Sequence, residues 1–461
     1  MAYCYAMGGM QLYQNSMDAG ENWVFTNVMG NPVYNWTYQQ VDEGTQTPLL
    51  QRTHTMYDAL QRPTHLWVHS EGSEILAERL IYGENIQSQN QRGQLILHFD
   101  GAGLVRNHAF DFKGNLLHSD RLLAEVDYPQ LQGSDPQWQS IIPDWQKYVT
   151  LNTSEITSLF NDKTLENLEQ EAFSTTTQYD ALNRPTEIKT PDGSITYYRY
   201  NKAGLLDSIS TKLLTTGGSD AEKKIVTDIA YNAKGQRKYI KYGNGVKTNY
   251  DYDEKTFRLK SLYSSRKNGT EVLQHLHYYY DPVSNITEIF DEAQPTIFKN
   301  GERVEPRHRF AYDALYQLIC ATGRESCWIT SNYPGYEEIP LLDNIPVADT
   351  EVRNYRQIYR YDPTGNIQRM QHVARTGSWT RTYTYAFDSN WLDHTIRGYN
   401  ATNQENYFHD QRGNMTLPHL PVMTWDYKDQ FVHADKNGNG ELFFTYDSGR
   451  QRVRKLFFHS G

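Results

Sequence analysis

Tyr57-Asp58-Ala59-Leu60-Gln61-Arg62-Pro63-Thr64 returns as Tyr179-Asp180-Ala181-Leu182-Asn183-Arg184-Pro185-Thr186, and more loosely as Tyr312-Asp313-Ala314-Leu315-Tyr316-Gln317-Leu318. Degenerate copies start at Tyr231-Asn232, Tyr280-Asp281, Tyr361-Asp362 and Tyr446-Asp447. A short sentence rewritten along a chain marks an array of like units, each too small to bury its own face. Such an array builds a surface rather than a single catalytic cleft.

Most copies share one plan. An alternating aromatic and β-branched run ends in Tyr-Asp, a few turn formers follow, and a second alternating run begins. Ile195 to Tyr200, then Asn201-Lys202-Ala203-Gly204, then Leu205 to Ile209 shows it. Period-two alternation about a Gly- or Asn-bearing turn predicts a β-hairpin. The tyrosine covers the pleated face, and the Asp or Asn bonds back to the amides of its own turn. Gly204, Gly235 and Gly365 are expected to supply positive φ. The predicted structural signature is thus Tyr57, Asp58, Arg62, Tyr179, Asp180, Arg184, Gly204, Tyr231, Gly235, Tyr280, Asp281, Tyr312, Asp313, Tyr361, Asp362, Gly365, Tyr446 and Asp447. Tyr179, Tyr200, Tyr231, Tyr252 and Tyr280 stand 21, 31, 21 and 28 residues apart, as for hairpins with loops of unequal length.

The β pattern breaks at Asp144 to Phe173, where Ile156, Leu159, Phe160, Leu165 and Leu168 among polar residues predict one or two short helices. The expected organisation is hairpins over 1–143, a helical insertion over 144–174 and hairpins over 175–461. Leu213 to Asp220, Asp291 to Arg309 and Glu325 to Tyr355 read as loops by their Gly and Pro content.

Aromatic residues make up 13% of the 461, against 38% hydrophobic overall, and 35 are Tyr against 17 Phe. So much aromatic surface argues against disorder, and a Tyr ring buries like Phe while its hydroxyl stays wet. The net charge of −10 and scattered Lys and Arg leave no basic footprint for nucleic acid. No apolar run is long enough to span a membrane. The first ten residues carry no basic, apolar signal pattern, so synthesis in the cytoplasm is expected, with release by a non-classical route left open. Cys4, Cys320 and Cys327 form no disulfide framework or zinc pattern; Cys320 and Cys327 either pair or stand as two thiols.

Candidate chemical sites are few. Asp435-Lys436-Asn437-Gly438-Asn439-Gly440-Glu441 imitates the start of a calcium loop, but the twelfth place is Tyr446, and a hairpin tip explains the same residues. His98, His108 and His118 recur every ten residues, and His275 and His277 alternate on one strand; both sets are read as packed structural positions. No His-Glu-x-x-His, Gly-x-Ser-x-Gly or phosphate-cradling loop occurs, so neither catalytic residues nor a cofactor or metal is expected. Trp36, Trp67, Trp328, Trp379, Trp391 and Trp425 either fill the sheet or offer rings to sugars.

These Tyr-Asp-Ala-Leu-x-Arg-Pro and Tyr-Asp-x-x-Gly-Asn-Ile units resemble the RHS/YD-repeat family, and longer stretches resemble the shell region of insecticidal toxin complex B and C proteins. The likeness runs in order through Met17 to Trp23, Arg92 to Leu95 with His98-Phe99-Asp100, and Phe110 to Asn115. It continues in Tyr312 to Glu325, Gly377 to Arg381, Gly413-Asn414-Met415 with Pro418-His419-Leu420-Pro421, and Gln451 to Lys455. The resemblance implies an all-β fold: antiparallel hairpins in a curved, spiralling sheet that forms part of a hollow shell. It further implies further RHS-repeat protein, an enclosed effector and a pore-forming toxin subunit as partners. Chemistry in that family belongs to the effector and to a self-cleaving aspartyl site, and neither is matched here. Such shells exceed 461 residues, so an arc of wall is expected: a fragment, a piece that needs partner chains, or the same sheet put to another use. The copy at Phe387-Asp388-Ser389-Asn390-Trp391 reads as having lost its tyrosine and glycine. The expected function is a non-enzymatic shell scaffold, with an aromatic recognition surface for cell-surface glycans or proteins as the alternative.

Overall fold

The computed structural model describes residues 2–459 except 39–49, 71, 85–87, 134–135, 162–164, 216–217, 220, 300, 327–350, 376, 399–402, 411 and 418–419. The chain is all-β, mostly antiparallel, with strands in a large open sheet and a short helical segment. It divides into two compact units: Met1–Pro191 with Ala386–Trp391 and Tyr407–Gly461, and Asp192–Tyr385 with Leu392–Asn406.

In the first unit, consecutive hairpins run from Ala2–Tyr5 to Pro185–Lys189, each strand antiparallel to the next. The helical segment comprises Tyr128–Leu131, Trp138–Ile141, the 3-10 turn Gln146–Tyr148 and Thr153–Asn161. It therefore begins earlier than the 144–174 expected, and by Leu168 the chain is already a strand. The first helices are single turns, too short to display a 3.6-residue period, and Pro129 reads as a breaker although it sits inside a helix capped by Asp127.

These helices cover the sheet. Trp145, Tyr148 and Leu159 are buried against Leu76, Leu97, Phe99, Leu104 and Leu122. Tyr128, Trp138 and Ile141 join Val68 and Ile75 to Val432 and Phe443, residues of a separate four-stranded meander over Val422–Trp425, Phe431–Asp435, Glu441–Tyr446 and Arg452–Phe458. The last strands thus pack with the first unit rather than continuing a linear series. Burial of large apolar side chains is the main stabilising term there.

The second unit is thinner. Its hairpins run from Ile195–Tyr200 to Leu392–Arg397, and among the described residues it holds a buried cluster of Val226, Ile229 and Ile240, flanked by Leu206, Ile209, Tyr231, Tyr242 and Tyr250. Partly buried tyrosines and cross-strand pairs replace a thick core. Two expected loops carry structure: Ile297–Lys299 pairs with Glu302–Val304, and Leu214–Thr215 with Gly218–Ser219. Most of the expected loop from Glu325 to Tyr355, with Cys327 and Trp328, lies outside the described residues, as do Pro418 and His419.

Candidate functional site

The repeated corner is the most regular feature. At Tyr57-Asp58, Asp58 N donates to Arg62 O at 3.0 Å and Gln61 N to Asp58 O at 3.0 Å, closing a five-residue turn. Asp58 Oδ1 accepts from Leu60 N at 2.9 Å and Arg62 N at 3.0 Å, while Arg62 Nε donates to Oδ2 at 2.8 Å. Asp180 repeats the set with Leu182, Arg184 N and Arg184 Nε at 2.8, 3.1 and 2.7 Å. In the Gly-Asn-Ile copies an asparagine closes the same ring: Asn285 Nδ2 reaches Asp281 Oδ2 at 2.8 Å and Asn366 Nδ2 reaches Asp362 Oδ2 at 3.0 Å. Asp313 accepts from Leu315 N and Gln317 N, and Asp447 from Gln451 N.

The fourth residue is left-handed in each of these five-residue turns. Glycine holds it at Gly204, Gly235 and Gly365, with φ of 82°, 78° and 98°. Gln61, Asn183, Ser284, Tyr316 and Arg450 hold it without that freedom, at 63°, 62°, 88°, 63° and 64°. The corner's hydrogen bonds offset that backbone cost.

Each tyrosine ends a strand at a register shift: Tyr57 faces Pro63, Tyr179 faces Pro185 and Tyr361 faces Ile367. The hydroxyl reaches the first strand residue after an earlier turn. Tyr57 donates to Pro32 O at 2.8 Å, Tyr231 to Leu206 O at 2.8 Å and Tyr280 to Leu259 O at 2.8 Å. Tyr312 donates to Ile286 O, Tyr361 to Leu318 O and Tyr446 to Phe431 O, at 2.9, 2.8 and 2.9 Å. Burial raises the pKa of all six phenols, keeping them as donors. Neighbouring corners also touch: Asn115 Nδ2 donates to Asn183 Oδ1 at 2.9 Å, and Arg258 Nη1 to Asp281 O at 2.7 Å.

The degenerate copy after Thr384 is reassigned. Its tyrosine is Tyr385, whose hydroxyl donates to Ile367 O at 3.0 Å and which faces Leu392. A six-residue turn closed by Ala386 N and Trp391 O stands where the corners at Asp58 and Asp180 have five residues, which displaced the repeat onto Phe387-Asp388.

The electrostatics follow from this geometry. Burial works against the charge on Asp58, but the amide and guanidinium of Arg62 outweigh it and hold the carboxyl below its usual range. Arg184 does the same for Asp180. Asp362 sits at about 2, where desolvation is overcome by Thr364 and Asn366. These are ionised, satisfied turn carboxylates, committed to their own amides rather than free for acid–base chemistry.

The other candidates resolve individually. Asp435 to Glu441 is a hairpin turn; Asp435 Oδ1 accepts from Asn437 N, and the Glu441 carboxylate accepts from Gly133 N and lies 2.9 Å from His433 Nε2. His98 Nε2 lies 3.1 Å from Glu78 Oε2. His108 stacks on His118 at 4.5 Å and lies 3.0 Å from Asp120 Oδ2, in ion-pair range but outside hydrogen-bond geometry. Trp36 stacks on Tyr34, Trp379 on His372 and Trp391 on His409, so one face of each ring is already covered; Trp67 packs against the helical core and Trp425 against Phe431.

Two features escaped the sequence reading. Asp100 is fully buried with both oxygens on Arg121 at 2.8 and 2.9 Å, and it also accepts from Ser448 N at 3.0 Å. It fastens the meander to the sheet across 348 residues of chain, a separation that leaves no local signal. In the second unit, single carboxylates bridge two basic side chains: Glu288 holds Arg307 and Arg309, Glu325 holds Arg353 and His372, and Glu405 holds Arg381 and Arg397. Glu292 holds His275 and His277, each at 2.9 Å, while Tyr263 meets His275 edge-on at 5.1 Å. Only strand register could have named Glu292 as the partner.

Comparisons with known proteins agree with this architecture. No protein-family model matches the chain. It is 28% identical over 477 residues to toxin subunit YenC1 of Yersinia entomophaga, covering 99% of this chain and 44% of that protein. It is 27% identical over 476 residues to toxin subunit YenC2 of the same organism, covering 99% and 46%. This chain is similar to these two toxin subunits along almost its whole length. It spans less than half the length of those curated relatives. Among solved structures, TcdB2-TccC3 superposes with a TM-score of 0.77 and 24% identity, over 100% of this chain and 21% of that one. The Photorhabdus luminescens Tc holotoxin pore gives the same TM-score and identity, over 100% and 20%. The fold is therefore shared with Tc assemblies. Among the described residues, no helix is long and apolar enough to cross a membrane.

Proposed function

We propose that this chain is a wall segment of a toxin-complex-like shell, a non-enzymatic scaffold that encloses a toxic polypeptide. The observation that carries this reading is the end-to-end likeness to two toxin subunits, joined to the fold shared with TcdB2-TccC3. The physics of the second unit supports it. A sheet stabilised by ring-to-carbonyl bonds and cross-strand pairs keeps one face available without losing its core, as a wall against cargo requires.

Further RHS-repeat protein completes the enclosure in this reading, and a pore-forming subunit receives the cargo. The signature tyrosines and aspartates act here as fasteners of the wall.

Co-expression with a B-type repeat partner, with an unstructured reporter fused after Gly461, tests the proposal. The reporter should resist proteinase K in the complex and be digested once the complex is unfolded. Digestion at the same rate in the complex and free would refute enclosure. Reproducible hits on a glycan array by the same complex would favour the recognition reading.

A further inference from the structure

The carboxylate bridges of the second unit differ in one respect. Those at Glu288, Glu325 and Glu405 each include an arginine, whose charge is permanent and which cannot coordinate a metal. At Glu292 both partners are imidazoles, and each presents a ring nitrogen to the same carboxylate oxygen. From this geometry we propose that His275, His277 and Glu292 form a binding site for a borderline divalent transition metal of the zinc class.

The site is built by strand register. His275 and His277 alternate along Glu271–Tyr280 and so share a face, with ring centroids 4.3 Å apart. Glu292 follows directly on the paired strand Ile286–Asp291, where Leu276 faces Asp291. Glu292 N donates to His275 O at 2.8 Å, and Asp291 Oδ1 accepts from His275 N at 2.9 Å, which together hold the glutamate beside the imidazoles.

His275 Nδ1 and His277 Nε2 each lie 2.9 Å from Glu292 Oε2, and the three ligand atoms fall within 4.8 Å of one another. Tetrahedral zinc with bonds of about 2.0–2.1 Å separates its ligands by about 3.3 Å, so each 2.9 Å nitrogen–oxygen distance would open by roughly 0.4 Å around the ion. Two imidazole nitrogens and one carboxylate oxygen match zinc, copper or nickel and not calcium or magnesium, which prefer all-oxygen shells. Three protein ligands leave a fourth position for water or for a group on another molecule. Access is open, since the imidazoles are 27% and 29% exposed and the carboxylate 58%.

The proposal does not depend on the shell reading. Its test uses the whole chain, stripped with chelator and titrated calorimetrically with zinc chloride, with magnesium chloride as control. One zinc per chain in the micromolar range is expected, a rise in the thermal midpoint at saturating zinc, and no heat from magnesium. Cobalt(II) should give visible absorption bands of a four- or five-coordinate site. Glu292→Gln and the double change His275→Asn with His277→Asn should each weaken zinc binding by at least about tenfold and remove the cobalt bands. Far-ultraviolet circular dichroism checks that both variants fold. No binding by the wild type, or zinc binding that both variants retain, would mean a plain hydrogen-bonded trio or adventitious histidines and would overturn the site.

Discussion

Asp120→Ala offers a quantitative probe of how the helical segment is held. Asp120 and Arg106 are bidentate, Nε to Oδ1 at 2.8 Å and Nη2 to Oδ2 at 2.9 Å, with side chains only 8% and 5% exposed. Arg106 also donates to Leu159 O at 3.0 Å, so the pair ties helix Thr153–Asn161 to the sheet. Removing the carboxylate strands a buried guanidinium, a loss of about 3–5 kcal/mol. The carboxyl gives an independent figure. Burial pushes it up, His108 and Arg106 more than offset this, and it settles at about 2 against 3.8 unfolded. That difference contributes roughly 2–3 kcal/mol at neutral pH. Because the folded value is the lower one, this contribution is present above pH 4 and fades as the pH falls towards 2. Urea unfolding followed by tryptophan fluorescence, with Trp145 buried in the same core, should show about 3 kcal/mol lost at pH 7 and much less near pH 2.5. Arg106→Met with Asp120→Leu should recover most of the loss, since an apolar pair leaves no charge unpaired. A loss under about 1 kcal/mol, or an equal loss at both pH values, would refute the reasoning.

Gly235→Ala meets no atom within 4 Å, so its cost is the left-handed backbone alone, about 1–2 kcal/mol, read as a lowered thermal midpoint; Ser284→Gly at the equivalent place should not destabilise. Tyr361→Phe keeps the ring but frees Leu318 O, and should cost about 1 kcal/mol by urea titration. Asp58→Ala should abolish hydrogen-exchange protection at the Leu60 and Arg62 amides while leaving the flanking strands protected.

The fold was legible because its information is local. Tyrosine, aspartate, a left-handed fourth residue and a closing Arg or Asn all lie within one turn, so each copy announces itself. The corner after Thr384 was misplaced because one inserted residue moves every anchor. The single-turn helices at Tyr128–Leu131 and Trp138–Ile141 were invisible for want of a period, and they matter only through packing against Val432 and Phe443 far along the chain. The candidate sites fared likewise. His275 and His277 were visible as an alternating pair, but Glu292 reaches them across a strand pairing that sequence does not print. Asp100 and Arg121 meet through the third dimension in the same way.

The central claim, that this chain is wall around a polypeptide, is tested most directly by electron cryomicroscopy of the chain co-purified with a B-type repeat partner. The account predicts strands of the partner continuing the sheet from an edge of this chain, with polypeptide density on the enclosed side. Particles in which this chain stands apart from the partner's sheet, or in which both faces meet solvent, would contradict it.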